Sequence, residues 1–157
     1  MAPGRPVTLK SSLRIASSTV SRRSYIDAPV SHLYLWGRKE DLAFEQPVGN
    51  DPARRHHVRF WRAADMRETG QVLWLGAASY DASVGLSHTT GQVTHHIAPD
   101  VDAERDKIMQ DLQRAGQLGP WAWVEHFHRV LTGYNGGGDP YHADGRLAVG
   151  MIIPQAR

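Results

Sequence analysis

Between His56 and Ile97, apolar and polar residues alternate with a period near two, the spacing of strands. "HHVRFWR" sets His56, Val58, Phe60 and Arg62 on one face and His57, Arg59 and Trp61 on the other. "QVLWLGAASYD" is apolar on both faces, as a central strand is. "QVTHHI" sets Val93, His95 and Ile97 against Thr94 and His96. "SHLYLWGR" alternates weakly and predicts a short strand and a turn at Gly37, while "RLAVGMIIP" predicts a closing apolar strand. "LAFEQPVGNDPARR" holds Pro47, Gly49, Asn50 and Pro52 and reads as a loop; "DASVGLSHTTG" reads as turn-rich.

After Pro99 the period becomes helical. Val101, Ile108, Met109, Leu112 and Ala115 form one stripe. Asp100, Asp102 and Glu104 suit the positive end of a helix dipole, and Gly116 stops the helix, which is predicted over Asp100–Ala115. A second helix is predicted over Pro120–Leu131, where Trp121, Val124, Phe127, His128 and Leu131 share a face. "GYNGGGDPYHADG" lacks the GK[ST] of a phosphate-binding loop, and Pro140 and Gly145 argue against a helix just downstream. It reads as a structured loop needing positive φ values. The short links between the three strands from His56 to Ile97 favour hairpins. The fold class expected is α+β: a single domain, a mostly antiparallel sheet of five or six strands, with about two helices packed on one face.

Arg105 departs from this pattern, because it falls inside the apolar stripe. A guanidinium on a core face needs partners. The leading expectation is a half-buried bidentate contact with a carboxylate or backbone carbonyls. Anion binding at a pocket and a snorkelling side chain are the alternatives.

The histidine pairs His56–His57 and His95–His96 invite metal chemistry. Adjacent histidines on a strand point to opposite faces, so neither pair chelates alone. If the strands are neighbours, His56 meets His95, or His57 meets His96. A carboxylate from Asp100, Asp102 or Asp139 then completes a two-His, one-carboxylate site. The plain alternative is a set of hydrogen-bonded structural histidines. His88, in the turn "SHTTG", is a further candidate. His32 reads as an edge residue, and His126 and His128 as helix surface and helix core.

Composition narrows these readings. The chain has 157 residues, 41% apolar and 22% charged, ordinary for one globular domain. With no cysteine, disulfides and thiolate metal sites are excluded. No apolar run reaches a membrane span and no signal-peptide core follows the start, so a cytoplasmic location is expected. Residues 1–26 carry Arg5, Lys10, Arg14, Arg22 and Arg23 and no acid. The rest has 13 basic and 16 acidic side chains, so the high pI comes from the start of the chain. Residues 1–26 thus read as a basic lead-in with an edge strand at Val7–Ile15, and residues 27–157 as the globular domain.

Several long segments match one family in order: "PVSHLYLWGRKEDLAFEQPVG", "RRHHVRFWR", "VLWLGAASYD", "VGLSHTTGQVTHHIAPDVDAERD" and "GYNGGGDPYHADG". Over residues 28–146 the chain resembles the LssY C-terminal domain family of bacteria. The resemblance implies a domain found alone or after membrane domains of the DedA and phosphatase kinds. It therefore implies a loose link to membrane phosphatase-type proteins and lipid-linked phosphates. It carries over no catalytic residue, substrate or cofactor.

Three function classes follow. The first is a metal-assisted hydrolase of a phosphate ester or other anionic substrate, with zinc or manganese. Its metal candidates are His56, His57, His95, His96 and Asp100. Its catalytic candidates are Asp102, Glu104, Arg105 and Arg59, the two guanidiniums meeting developing negative charge. Arg38, Asn135 and Asp139 are its candidates for holding the anion. The second class is a non-catalytic accessory module that binds an anionic headgroup or a protein partner through Arg38, Arg59 and exposed tryptophans. The third, ranked last, is nucleic-acid binding by the basic arm.

Overall fold

The described residues open on a tight hairpin. In the computed structural model, which describes residues 32–66 and 71–153, β1 (Tyr34–Leu35) pairs with β2 (Arg38–Lys39). Trp36 and Gly37 make the turn, both at positive φ, as two-residue hairpin turns demand. A four-stranded antiparallel meander follows: β3 (Leu42–Val48), β4 (Asp51–Met66), β5 (Gln71–Leu86) and β6 (Val93–Ile97), neighbours in space as in sequence. Then come α1 (Asp102–Arg114), β7 (Leu118–Val124), β8 (Thr132–Tyr134), β9 (Pro140–His142) and β10 (Leu147–Ile152). β8 pairs with β9, and β10 returns to β7. The α+β class and the antiparallel pairing stand, but the main sheet among the described residues has four strands, not five or six, with the other strands in separate pairs. The edge strand expected at Val7–Ile15 lies outside the described residues.

Two expectations are corrected. The loop read into residues 42–55 is a hairpin, in which Val48 pairs with Asp51 across Gly49–Asn50. Pro47 is tolerated because β3 is an edge strand, where a missing N–H can face away from the sheet. The turn signal was real but only two residues wide. The second helix, Pro120–Leu131, does not exist. Its first half is β7, whose Trp123 and Ala122 pair with Ala148 and Val149 of β10. Aromatic and β-branched residues there suit a strand once a distant partner is available. Pro120 sits where the register shifts between Gly150 and Ile152, so no ladder bond is lost to it. "About two helices" therefore becomes one.

That helix obeys its sequence signals. Asp100 Oδ1 accepts from the N–H groups of Asp102 (3.1 Å) and Ala103 (3.3 Å). At the other end Gly116, at φ +65°, donates to Gln113 O while Gln117 donates to Leu112 O. This is a Schellman closure that only a residue at ease in the left-handed region completes cheaply. Among the described residues the most buried large side chain is Trp61, 2% exposed on β4, with its indole N–H on Arg38 O at 3.1 Å.

Candidate metal centre

The register of the meander decides which histidines meet. β5 lies between β4 and β6, so residues of the outer strands communicate only across it. The pairing slips between Asp81, opposite Ile97, and Ser83, opposite His96. Such an irregularity exchanges faces for every residue beyond it. The expected pairs are therefore reversed. His57 and His95 share one face through Asp81, and His56 and His96 lie on the other.

On the first face Asp81 is a buried hub, 3% exposed. Its Oδ1 accepts from His57 Nε2 at 2.8 Å and its Oδ2 from Arg55 Nε at 2.7 Å, while His95 Nδ1 stands 3.6 Å from Oδ2, outside hydrogen-bond reach. Arg59 Nη1 lies 2.9 Å from His57 Nδ1, and Arg55 Nη2 lies 3.2 Å from His95 Nδ1. A guanidinium only donates, so both Nδ1 atoms are acceptors and both rings carry their proton on Nε2. Ser79 Oγ also lies 3.1 Å from His57 Nε2. A nucleophilic triad needs the acid and the serine on different ring nitrogens, so this trio is not one. Burial alone raises the Asp81 carboxyl, but hydrogen bonds from His57 and Arg55 outweigh it and hold it below its ordinary value. Burial pushes His95 down, toward the neutral ring. Two guanidiniums already neutralise this pocket, and a divalent ion there would meet like charge.

The second face is different. Asp139, 3% exposed, ends the glycine-rich loop between β8 and β9. Its Oδ2 accepts from Ile97 N–H and from the Asn135 amide, each at 3.1 Å. Its Oδ1 faces His96 Nδ1 at 2.5 Å and His88 Nε2 at 3.9 Å. One ligand-type atom from each of His88, His96 and Asp139 lies within 4.8 Å of the others. Glycines make this approach possible. A Cβ on Gly85 would stand 2.6 Å from His96 Nε2, and one on Gly138, itself at φ +88°, 2.7 Å from His88 Cβ. His96 thus lays its Nε2 edge on the sheet and turns Nδ1 to the carboxylate. Burial raises Asp139, but bonds from His96, Ile97 and Asn135 prevail and hold it below its usual value, ionised as a ligand must be. His88 is 64% exposed, so the cluster opens to solvent.

The family described as LssY C-terminus matches residues 3–147. The chain belongs to that family. No curated protein and no solved structure matches it.

In this LssY C-terminal chain the remaining candidates are held elsewhere. His56 Nδ1 bonds both oxygens of Glu104, at 3.0 and 2.9 Å, tying α1 to the sheet through an acid only 5% exposed. Asp100 caps the helix, and Asp102 Oδ2 accepts the Asp144 N–H. Arg105 makes the expected bidentate contact: Nη1 and Nη2 reach Asp144 at 2.7 and 3.1 Å. It also bonds Asp102, Asp106 and Arg146 O, and lies 4.6 Å from the Trp123 ring centre. Burial opposes that charge, yet the Asp144 bond prevails and raises Arg105, while Asp144 is held far below the usual carboxylate range. Arg38 reaches Arg62 O and Asp41. Asn135 acts on the loop itself, accepting from the N–H groups of Gly137 and Asp139. The residue missed in the sequence is Asp81. Its signal was an acid ending an apolar run, which demands buried cations nearby. Among the described residues no helix is long and apolar enough to cross a membrane.

Proposed function

We propose that this domain is a divalent-metal-dependent hydrolase of a phosphate ester or similar anionic ester, with His88, His96 and Asp139 as the metal ligands. The reading rests on one observation: these three side chains converge from three separate segments, with donor atoms within 4.8 Å. Tetrahedral bonds of about 2.0–2.1 Å to nitrogen and oxygen need donor separations near 3.3 Å, between the 2.5 and 3.9 Å found. His88 would move inward by about half an ångström, and His96 and Asp139 would part by somewhat more. The Asn135 and Ile97 bonds fix the carboxylate from behind, the outer-shell support that metal ligands require.

Two neutral imidazoles and one carboxylate leave a divalent ion with one net positive charge. That charge suits an anion. Three protein ligands at an open surface leave a coordination position for it, as catalytic sites do. A bound ion supplies a Lewis acid and activates water. In the reaction a water oxygen bonds to phosphorus and the ester P–O bond breaks. The leaving oxygen keeps the electron pair and takes up the proton that water gives up. Zinc and manganese both fit the nitrogen–oxygen donor set.

Element analysis of protein purified without a histidine tag tests this. About one zinc or manganese per chain is expected, with a melt that falls on chelation, and His96→Ala and Asp139→Ala should lose the ion. Absence of metal, with no melting response to added zinc or manganese, would overturn it.

A further inference from the structure

Of the three candidate ligands, His88 is the one whose place needs explaining. Asp139 is tied to β6 by the Ile97 N–H and by His96, which is itself a β6 residue. His88 stands in the turn between β5 and β6, where residues 88–91 are all exposed. Burial cannot hold such a turn, so its position depends on hydrogen bonds.

Those bonds run to the loop that carries Asp139. The His88 N–H donates to Gly137 O at 3.0 Å, and the Thr89 hydroxyl donates to Gly136 O at 3.0 Å. Ser87 is buried, unlike the turn it starts. Its Oγ accepts from the N–H groups of Thr89 (3.3 Å) and Thr90 (3.2 Å), which bends the turn. Its proton is left for Gly137 O at 3.3 Å or Thr89 Oγ1 at 3.1 Å. Both routes end on the loop, because Thr89 passes its own proton to Gly136 O. The loop in turn moves as one piece. Asn135 Oδ1 accepts from the N–H groups of Gly137 and Asp139, so the oxygens that the turn grips are coupled to the carboxylate. Contact between turn and loop is close: a Cβ on Gly138 would lie 2.7 Å from His88 Cβ.

We infer that Ser87 and Thr89 are positioning residues of the metal centre, which set its affinity for the ion by clasping the His88 turn to the Asp139 loop. They act through the backbone and not as ligands. The inference rests on the metal-hydrolase reading and adds what governs the strength of that site. Without the clasp, two ligands stay on β6 and its partner loop while the third is free to swing away. An ion then has to order the turn as it binds, and that cost lowers affinity. The coupling is reciprocal, so a bound ion tightens the clasp in return.

The test measures zinc affinity of the full chain by competition with a chelating dye, beside the urea midpoint of the metal-free protein. Ser87→Ala and Thr89→Val should each weaken zinc binding about 10- to 100-fold, as loss of outer support does at metal sites. Thr89→Ser keeps the hydroxyl and should bind as the wild type does. Thr89 is exposed, so Thr89→Val decides the matter if Ser87→Ala fails to fold. A clasp that served the fold alone would lower the metal-free midpoint and leave the affinity of folded protein unchanged. Unchanged affinity in Thr89→Val or in folded Ser87→Ala, or equal losses in Thr89→Val and Thr89→Ser, would overturn the inference while the metal centre stands. A wild-type chain that binds no zinc would overturn both.

Discussion

The sheet carries two sets of two histidines and one aspartate, and they have opposite fates. His57, His95 and Asp81 are locked by Arg55 and Arg59 on a buried face. Among the described residues the donors behind Asp139 are neutral, an amide and a backbone N–H, and the cluster with His88 and His96 opens to solvent through His88. Ligand-type residues in proximity do not make a metal site. The charge of what stands behind them decides, because a guanidinium already does electrostatically what an ion would do. On this contrast rests the proposal that the first set serves the fold and the second holds an ion.

The strongest way to break this contrast is at Asp81. Asp81→Ala should cost about 3–5 kcal/mol, since it leaves His57 Nε2 and Arg55 Nε without their buried acceptor and Arg55 with Glu45, at 3.2 Å, as its remaining carboxylate. Urea denaturation would read this as a lower midpoint, while metal bound per folded chain should not change. Asp139→Ala should do the reverse. Ion content should fall from about one per chain to near zero, while stability drops by about 1–3 kcal/mol from the orphaned Ile97 N–H and Asn135 amide. If Asp81→Ala strips the metal and Asp139→Ala does not, the roles are assigned to the wrong faces. Gly85→Ala should have a smaller effect. The new methyl group displaces the His96 ring, and zinc affinity should fall about 10- to 100-fold in competition with a chelating dye.

The mildest probe is pH, on metal-free protein. Asp81 and His95 both have folded-state values below their ordinary ones, 3.8 and 6.5. The unfolded chain therefore binds more protons as pH falls. Their contribution is complete above about pH 6.5 and is lost on acidification, first through His95 and then through Asp81. A urea midpoint that declines from pH 7 to 3 fits this. One that rises toward acid would contradict it.

Much of the frame was legible. Alternation marked the regions of β4 and β6, apolar runs marked those of β5 and β10, and the apolar stripe with its acids and Gly116 marked α1. Arg105 announced its carboxylate partner by sitting where a charge cannot stay alone. What failed was non-local. β7 imitates a helix face until β10 is there to pair with it, and Pro47 looks like a breaker until β3 is known to be an edge. The cluster was half legible: His96 and Asp139 were offered together for a two-His, one-carboxylate site and His88 as a further candidate, but His96 was matched with His57. A one-residue slip opposite Ile97 and His96 exchanged the faces of the histidines, and nothing in the local pattern of β5 marks it. The partnership of His96 with Asp139 spans 43 residues, beyond the reach of spacing arguments.

The meander has a consequence in time. Its strands pair with their sequence neighbours, so it closes only short loops and can form early. His88 and His96 come with it. Asp139 emerges from the ribosome 43 residues after His96, a delay of about 2–9 seconds at about 5–20 residues per second. For that interval a nascent chain offers an ion two histidines and no carboxylate. On the proposed reading, the centre is complete only when the β8–β9 loop docks.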